Sequence, residues 1–444
     1  MTKKNHVTGV SKPDVLVSVL LISFNHERYL RCALDSVVMQ DTNFKYEVLV
    51  HDDASQDNSQ SIIDEYEDKY PNLIISLKRT ENVYSKGDRL SIWRFFVEQS
   101  QGEYIAFCEG DDYWSSKNKL KKQVSGLMSE LNCNISFHPT IRLNVETESF
   151  CGSYGDYSDF DSNDTLFIPF VSASNFFMTN TVHISSIMIR RSSFLSFYHF
   201  IEKYPWLDAS DHFIKLIGVS AGALYLRDAM SVYRECVPGS WTSVRESNIN
   251  LKVLHCIKMI SLSQGISNLS VNGYSDIGRS HLLRYTLELH SLLHSISALA
   301  YLNEFYSLIE NEIRKTLILY PSHEIIYFGA GTIFDALIGD DQNIISVIDR
   351  GRFYKLKKRH VLSSCELEEY FFKKNDVIVI TPIFRGHSIR ASLSNALGLD
   401  CHFVIVDDLL TLDLISKSIL SSAQRFLVER GLSEDDVYLN ASMN

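Results

Sequence analysis

The chain has 444 residues, too many for one ordinary core, so two or three domains are expected. Lys and Arg number 43 against 54 Asp and Glu, a net charge of −11, which excludes the basic footprint of a general nucleic-acid binder and disfavours attachment to anionic lipid by bulk charge. Hydrophobic content of 45% with 22% charged residues describes a soluble globular protein. No apolar run approaches the roughly 18 residues of a membrane span, and the polar start MTKKNHVTGVSK has no signal-peptide core. Eight scattered cysteines without a C-x-x-C pair read as reduced thiols of a cytoplasmic protein.

Val15 to Ser23, VLVSVLLIS, predicts a buried strand. The turn Phe24-Asn25-His26-Glu27 leads into a helix over Arg28 to Gln40, with apolar pairs at Tyr29/Leu30, Ala33/Leu34 and Val37/Val38. A second strand, Tyr46 to Val50, runs into the acidic stretch from Asp52 to Asp57. Asn58 to Tyr70 repeats the helical spacing, and Leu73 to Leu77 is a third strand. This β-α-β-α-β succession implies a parallel sheet with crossover helices.

Tyr104 to Cys108 is an apolar run of the kind buried on both faces of a parallel sheet. It stops in Glu109, Asp111 and Asp112, with Gly110 between them. Ligands of open α/β sheets gather at the carboxyl ends of strands, so these acids fall where chemistry is expected. Carboxylates this close repel unless a cation joins them, and hard divalent ions that also bind substrate phosphates need one or two such oxygens. The plainer reading is an acidic turn that caps a helix. Lys119 to Leu131 is a further helix, and residues 133–180 are aromatic, polar and without a clear period.

His183 to Arg190 reads as an edge strand, in which a lone His is structural or touches a ligand. Trp206 to Phe213 heads a helix with Phe213, Ile214 and Ile217 inward. Strand patterns follow at Ala223 to Leu226 and Met230 to Cys236. Ser247 to Tyr320 is helical in period and suits a spacer or a dimer surface; its charge pattern does not favour a face resting on membrane. From Glu324 a second α/β unit begins. Its strands are Ile325 to Phe328, Ile344 to Ile348, Asp376 to Ile380 and His402 to Val406. This suggests a small Rossmann-like domain. Gly329-x-Gly331, with Asp349 about 20 residues on, resembles a dinucleotide fingerprint, but Phe334 replaces the third Gly and no Tyr-x-x-x-Lys follows.

On these residues the first 245 or so positions resemble a family 2 glycosyltransferase of the GT-A fold. Glu109-Gly110-Asp111-Asp112 stands where that family carries its Asp-x-Asp motif, and Tyr113-Trp114 with Lys119-Leu120-x-Lys122-Gln123 resembles a bacterial branch of it. The resemblance implies that Asp111 and Asp112 hold a divalent metal, Mn²⁺ or Mg²⁺, with Glu109 beside them on the donor. It implies that Asp52-Asp53-x-Ser55-x-Asp57 is the nucleobase signature, with Asp52 and Asp53 on the donor and Ser55 or Asp57 capping the next helix. Asn25 matches the family's Tyr-Asn with Phe24 in place of Tyr, and Arg234 matches a closing Tyr-Arg-x-His in which Cys236 replaces the His, so both are implied as donor contacts. The basic residues Lys78, Arg79, Lys86 and Arg89 are diphosphate contacts or solvated charges. The family's base sits in an acidic pair at a helix start, which maps onto Ser210-Asp211, with Asp208 the second choice.

The implied whole is α/β: a GT-A mixed sheet over 1–245, a helical segment over 246–320 and a Rossmann-like domain over 321–444. The implied activity is inverting transfer from a nucleotide sugar, a UDP-sugar, to a saccharide or lipid-linked glycan acceptor in bacterial surface polysaccharide assembly. That role leaves room for peripheral association with the inner membrane face and for a homo-oligomer, with residues 133–180 as acceptor loops. The competing readings are a non-catalytic nucleotide-sugar sensor and a bifunctional protein with a nicotinamide-binding C-terminal domain.

Overall fold

The computed structural model describes residues 15–157, 165–168, 182–203, 210–267, 274–295, 301–302, 307–309, 311–313, 315, 325–328, 344–348, 360–362, 377–380, 402–405 and 412–431. It divides into two compact units, Met1–Ser247 with Val271–Gly273, and Asn248–Ser270 with Tyr274–Asn444.

The first unit opens with β1 (Val17–Ser23), α1 (Glu27–Val38), β2 (Tyr46–Asp52), α2 (Ser59–Lys69) and β3 (Ile74–Lys78). Then come α3 (Leu90–Gln99), β4 (Tyr104–Glu109), β5 (Tyr113–Trp114) and α4 (Lys119–Ser129). The later elements are β6 (Ile135–Phe137), β7 (Thr140–Asn144), β8 (Ser149–Tyr154), β9 (Thr165–Ile168) and a 3-10 turn (Ile184–Ser186). They are followed by β10 (Met188–Arg190), α5 (Arg191–Lys203), α6 (Ser210–Gly218), β11 (Ala223–Leu226), β12 (Ser231–Glu235) and α7 (Trp241–Ser247). An eight-stranded sheet has the order β3-β2-β1-β4-β10-β6-β11-β9, and β5-β12-β7-β8 form a second sheet.

β3, β2, β1 and β4 are parallel. Both faces of β1 are covered, so its run VSVLLIS is apolar at almost every position rather than alternating. The stripe Leu30, Ala33, Leu34 and Val37 of α1 packs into this core with Val19, Leu21, Val48 and Val50. Each such side chain, removed from water, contributes about 1.5–3 kcal/mol. Register sets the level at which the strands end. Ser23 pairs with Asp52 and Ile22 with Glu109, so the two acid-ended strands flank β1 and stop together.

β10 corrects an expectation. Its segment is no edge strand but lies between β4 and β6, antiparallel to both. Ile187, Met188 and Ile189 are fully buried, and apolar burial of that degree needs neighbours on both sides. Since β10 runs back along β4, the chain just before it passes beside the end of β4. Residues 133–157, without a readable period, contain β6 in the main sheet and the β7–β8 pair in the second.

The second unit contains α8 (Ile249–Ser267), α9 (Tyr274–Ser295) and α10 (Leu412–Glu429), and the strands β13 (Ile325–Phe328), β14 (Ile344–Ile348), β15 (His360–Leu362), β16 (Val377–Ile380) and β17 (His402–Ile405). These strands are all parallel, in the order β15-β14-β13-β16-β17. Gly329, Gly331, Phe334 and Asp349 lie outside the described residues. Among the described residues no helix is long and apolar enough to cross a membrane.

Candidate active site

Two acidic turns face the carboxyl ends of the parallel strands. The first follows β2, and the protein itself supplies its partners. Asp52, fully buried, accepts from Ser55 N–H at 2.9 Å, Ser55 Oγ at 2.5 Å and Gln60 Nε2 at 2.8 Å. Asp53 accepts from the Val83 and Tyr84 backbone N–H groups, at 2.9 and 3.0 Å, and so straps the 81–84 loop to the strand end. Asn25, at φ 56°, accepts from Gln56 N–H at 2.7 Å. Asp57 accepts from both Glu27 N–H and Ser59 N–H at 2.9 Å, so one carboxylate caps the first turns of α1 and α2. Desolvation works to raise the Asp57 pKa, but these hydrogen bonds and the nearby His26 outweigh it and hold it below the usual value.

The second turn follows β4. Gly110 has no alternative there: a Cβ would lie 2.6 Å from His26 Nδ1 and 3.1 Å from the Ile22 carbonyl oxygen. Tight passage of the chain at this point turns Asp112 inward, where it is fully buried. Its two oxygens accept from Ser185 Oγ and the Arg234 backbone N–H, each at 3.0 Å. His183 sits with Nδ1 3.5 Å from Asp112 and Nε2 3.5 Å from Glu109. Ligand atoms of Glu109, Asp112 and His183 all lie within 4.8 Å of one another.

Asp111, expected as a metal ligand beside Asp112, does not join this group. Its carboxylate lies 3.7 Å from His26 Nε2, because successive residues of the turn point to opposite sides. Arg234 holds the turn rather than projecting from it. Its guanidinium lies between the Tyr29 and Tyr113 rings, at 5.0 and 4.6 Å, and donates to the Asp111 carbonyl at 2.6 Å. Cys236 points away, towards Asn144 at 3.6 Å, so it takes no part in the cluster.

The charges of this turn are poorly compensated. Desolvation first, then Asp111 and Asp211, push the Glu109 carboxyl up to about 8. Desolvation and the charges of Asp111 and Glu109 raise Asp112 well above the carboxylate range. Burial and the Lys215 charge lower His183 to about 3, which keeps the imidazole neutral. Its ring lies tilted against that of Tyr233, 4.5 Å between centroids, and its Nδ1 accepts from Ser185 N–H at 3.3 Å, which fixes its position. Two carboxylates asking for positive charge, beside a neutral imidazole, form a donor set that fits a divalent ion.

Asp211 stands in the first turn of α6, where the helix dipole favours an anion. Lys215, one turn on, donates to its Oδ2 at 3.1 Å. Burial acts to raise the Asp211 pKa, but Lys215 and His212 outweigh it and keep the carboxylate ionised. The charges of Asp211 and Lys215 act on Glu109 and His183, so this helix start lies within electrostatic reach of the cluster. Asp208 lies outside the described residues. Sequence reasoning named Ser185 among the polar residues of a pocket-lining strand and Tyr233 within the Tyr-Arg pair without giving either a role, and it passed over Lys215. Lys215 had a signal, its i,i+4 spacing from Asp211. Of the four basic residues at and beyond the end of β3, Lys78 pairs with Asp64 and Glu67, Lys86 with Glu81, Arg79 bonds His51, and Arg89 covers the Tyr84 ring.

Residues 18–178, all within the first unit, match the family model described as Glycosyl transferase family 2. A protein of Mycobacterium tuberculosis (strain ATCC 25618 / H37Rv), itself uncharacterised, is 31% identical over 227 residues, 51% of this chain and 61% of its own. The Escherichia coli UDP-Glc:alpha-D-GlcNAc-diphosphoundecaprenol beta-1,3-glucosyltransferase WfgD is 34% identical over 124 residues, 28% of this chain and 44% of its own. The chain thus spans less than two thirds of the length of these curated relatives. Among solved structures, S. aureus TarS 1-349 in complex with UDP-GlcNAc is similar over 62% of this chain and 73% of its own, at 17% identity and a TM-score of 0.43.

Proposed function

We propose that the first unit is an inverting glycosyltransferase. It moves a sugar from a nucleotide-sugar donor, a UDP-sugar on this reading, to a hydroxyl of a saccharide or lipid-linked glycan acceptor in bacterial surface polysaccharide assembly. The observation that carries the reading is the convergence of Glu109, Asp112 and His183 within 4.8 Å at the end of a parallel strand, the two acids inside the segment that matches the family 2 model and His183 just beyond it. A similar E. coli protein is named as a UDP-Glc-dependent glucosyltransferase, which supports the donor class.

Glu109, Asp112 and His183 would hold Mn²⁺ or Mg²⁺. When bound, such an ion supplies positive charge to a departing diphosphate, an effect of several kcal/mol in the transition state. Ser185 Oγ and the Arg234 N–H keep Asp112 aimed, and the Arg234 side chain holds the turn by the Asp111 carbonyl. Asp211 takes the proton of the acceptor hydroxyl as that oxygen attacks the anomeric carbon from the face opposite the leaving group. Lys215 donates to Oδ2 and helps keep the carboxylate ionised, the form in which it can take a proton. Base catalysis of this kind is worth roughly 10²–10⁴-fold. The test is a thermal-shift panel of nucleotide sugars with and without Mn²⁺, followed by donor turnover with the best one. A stabilising UDP-sugar that is also turned over is expected; a panel without any stabilising nucleotide sugar overturns the reading.

For the second unit we propose a Rossmann-like α/β domain with a docking or oligomerisation role and no redox chemistry. The strand order β15-β14-β13-β16-β17 supports the fold type, which by itself says little about function. Calorimetry on the full chain should detect no saturable binding of NAD(H) or NADP(H), and micromolar binding would favour the bifunctional reading instead.

A further inference from the structure

Beneath the acidic turn runs a buried polar column that the chemistry above does not use. Lys119 and Gln123, one turn apart on α4, are both fully buried, and among the described residues neither bonds a carboxylate. Lys119 Nζ donates to Gln123 Oε1 at 2.6 Å and lies 4.2 Å over the Trp114 ring. Gln123 Nε2 donates to the Ser186 carbonyl at 2.9 Å and, less closely, to the Ser136 carbonyl and Oγ at 3.4 and 3.3 Å. The Trp114 indole N–H donates to the Ser185 carbonyl at 3.1 Å and to the Phe107 carbonyl at 3.3 Å. The two carbonyls held in this way belong to the 3-10 turn that presents Ser185 Oγ to Asp112 and places His183 beside Glu109.

We infer that Gln123 is a positioning residue for the cation site: its Nε2 donor fixes the 184–186 turn, and Lys119 fixes which end of the Gln123 amide faces that turn. An amide is nearly symmetric in shape, and its orientation is chosen by its partners. The ammonium form of Nζ has donors only and so takes the oxygen end, and the Ser186 carbonyl, an acceptor in either state of the lysine, takes the NH₂ end. The reversed amide would set NH₂ against Nζ and oxygen against the Ser186 oxygen, two like-signed contacts without solvent to relieve them. Buried, fully hydrogen-bonded chains of this kind hold ligands in place behind many metal sites, and breaking one typically costs 10–100-fold in metal affinity.

The metal arm of the test rests on the reading of Glu109, Asp112 and His183 as cation ligands; the hydrogen-exchange arm does not. In the full chain, Gln123→Glu keeps an acceptor for Lys119 and removes both donors from the Ser186 side. Deuterium uptake should rise across residues 182–190 and stay unchanged across 17–23. Mn²⁺ affinity, read by calorimetry, should fall about 10–100-fold. Lys119→Met retains the Nε2 donors and should lower Mn²⁺ affinity less than Gln123→Glu. Wild-type uptake across 182–190 in Gln123→Glu overturns the inference. If the wild-type chain binds no Mn²⁺, the cation reading fails and uptake alone decides. If Gln123→Glu raises uptake across 17–23 as well, Gln123→Met, which removes the same donors without burying a charge, decides: a rise confined to 182–190 supports the inference, and no change there overturns it.

Discussion

The turns after β2 and β4 lie on either side of β1, end at the same level and are built from the same residue type. They differ in who supplies the partners. After β2, Asp52, Asp53 and Asp57 all accept from N–H or hydroxyl groups of the protein, and the carboxylates knit two helix starts and a loop together. After β4, Asp112 has two donors, Glu109 among the described residues has only a 3.5 Å approach from a neutral His183, and both carboxyls are pushed upward by desolvation and by the charge of Asp111. The lesson is that a carboxylate count does not separate scaffold from site. The supply of hydrogen-bond donors does. A turn saturated by N–H groups is finished as it stands, whereas one with uncompensated charge is completed by something it binds.

The largest effect expected from breaking this contrast comes from Asp112→Asn. It should abolish Mn²⁺ binding and cut transfer by roughly 10³–10⁴-fold, the several kcal/mol that the ion supplies. Because the wild-type carboxylate is strained in the metal-free protein, the metal-free variant should melt no lower than wild type at pH 8. Retained transfer in this variant, measured in excess chelator, would remove the cation from the account.

Next in size, Asp211→Asn should lower transfer by about 10²-fold or more while Mn²⁺ and donor binding survive, since the base acts only on the acceptor. Equal activity of variant and wild type in single-turnover measurements would move the base elsewhere.

The two turns should also respond to pH with opposite sign. Glu109, whose side chain is nearly half exposed, is raised above its usual value by desolvation and by Asp111 and Asp211, so its contribution is present below the unfolded value and is lost as pH rises through the folded one. Metal-free melting temperature should therefore fall between pH 5 and 8, and the gain on adding Mn²⁺ should grow over the same range. Glu109→Gln should flatten that slope. Asp57 is lowered instead, so its contribution is present above the unfolded value and is lost as acid protonates it.

The smallest effect should come from Asp57→Ala. Loss of its bonds to Glu27 and Ser59 should cost about 1–2 kcal/mol in urea unfolding above pH 5, shrinking in stronger acid, with Mn²⁺ affinity unchanged. A change in Mn²⁺ affinity here would mean that the scaffold turn and the site turn are not separable.

Much of this unit was legible from local pattern. The apolar runs at 17–23, 46–50 and 104–108, the 3.6-residue stripe from Leu30 to Val37, and the acids that follow each strand depend on period and side-chain chemistry, which a sequence carries directly. The helix start at Ser210-Asp211 was legible for the same reason. What only tertiary structure decided is which acids meet. His183 reaches Glu109 because β10 inserts antiparallel between β4 and β6, a pairing between segments some 80 residues apart that no local period encodes. Asp111 and Asp112 are adjacent and chemically identical, yet one faces His26 and the other the buried Ser185, because Gly110 lets the chain pass under His26 and sets the direction of each side chain. Composition and spacing place carboxylates at a strand end; the direction of each one, and the partner waiting for it, are set by chain segments that arrive from elsewhere.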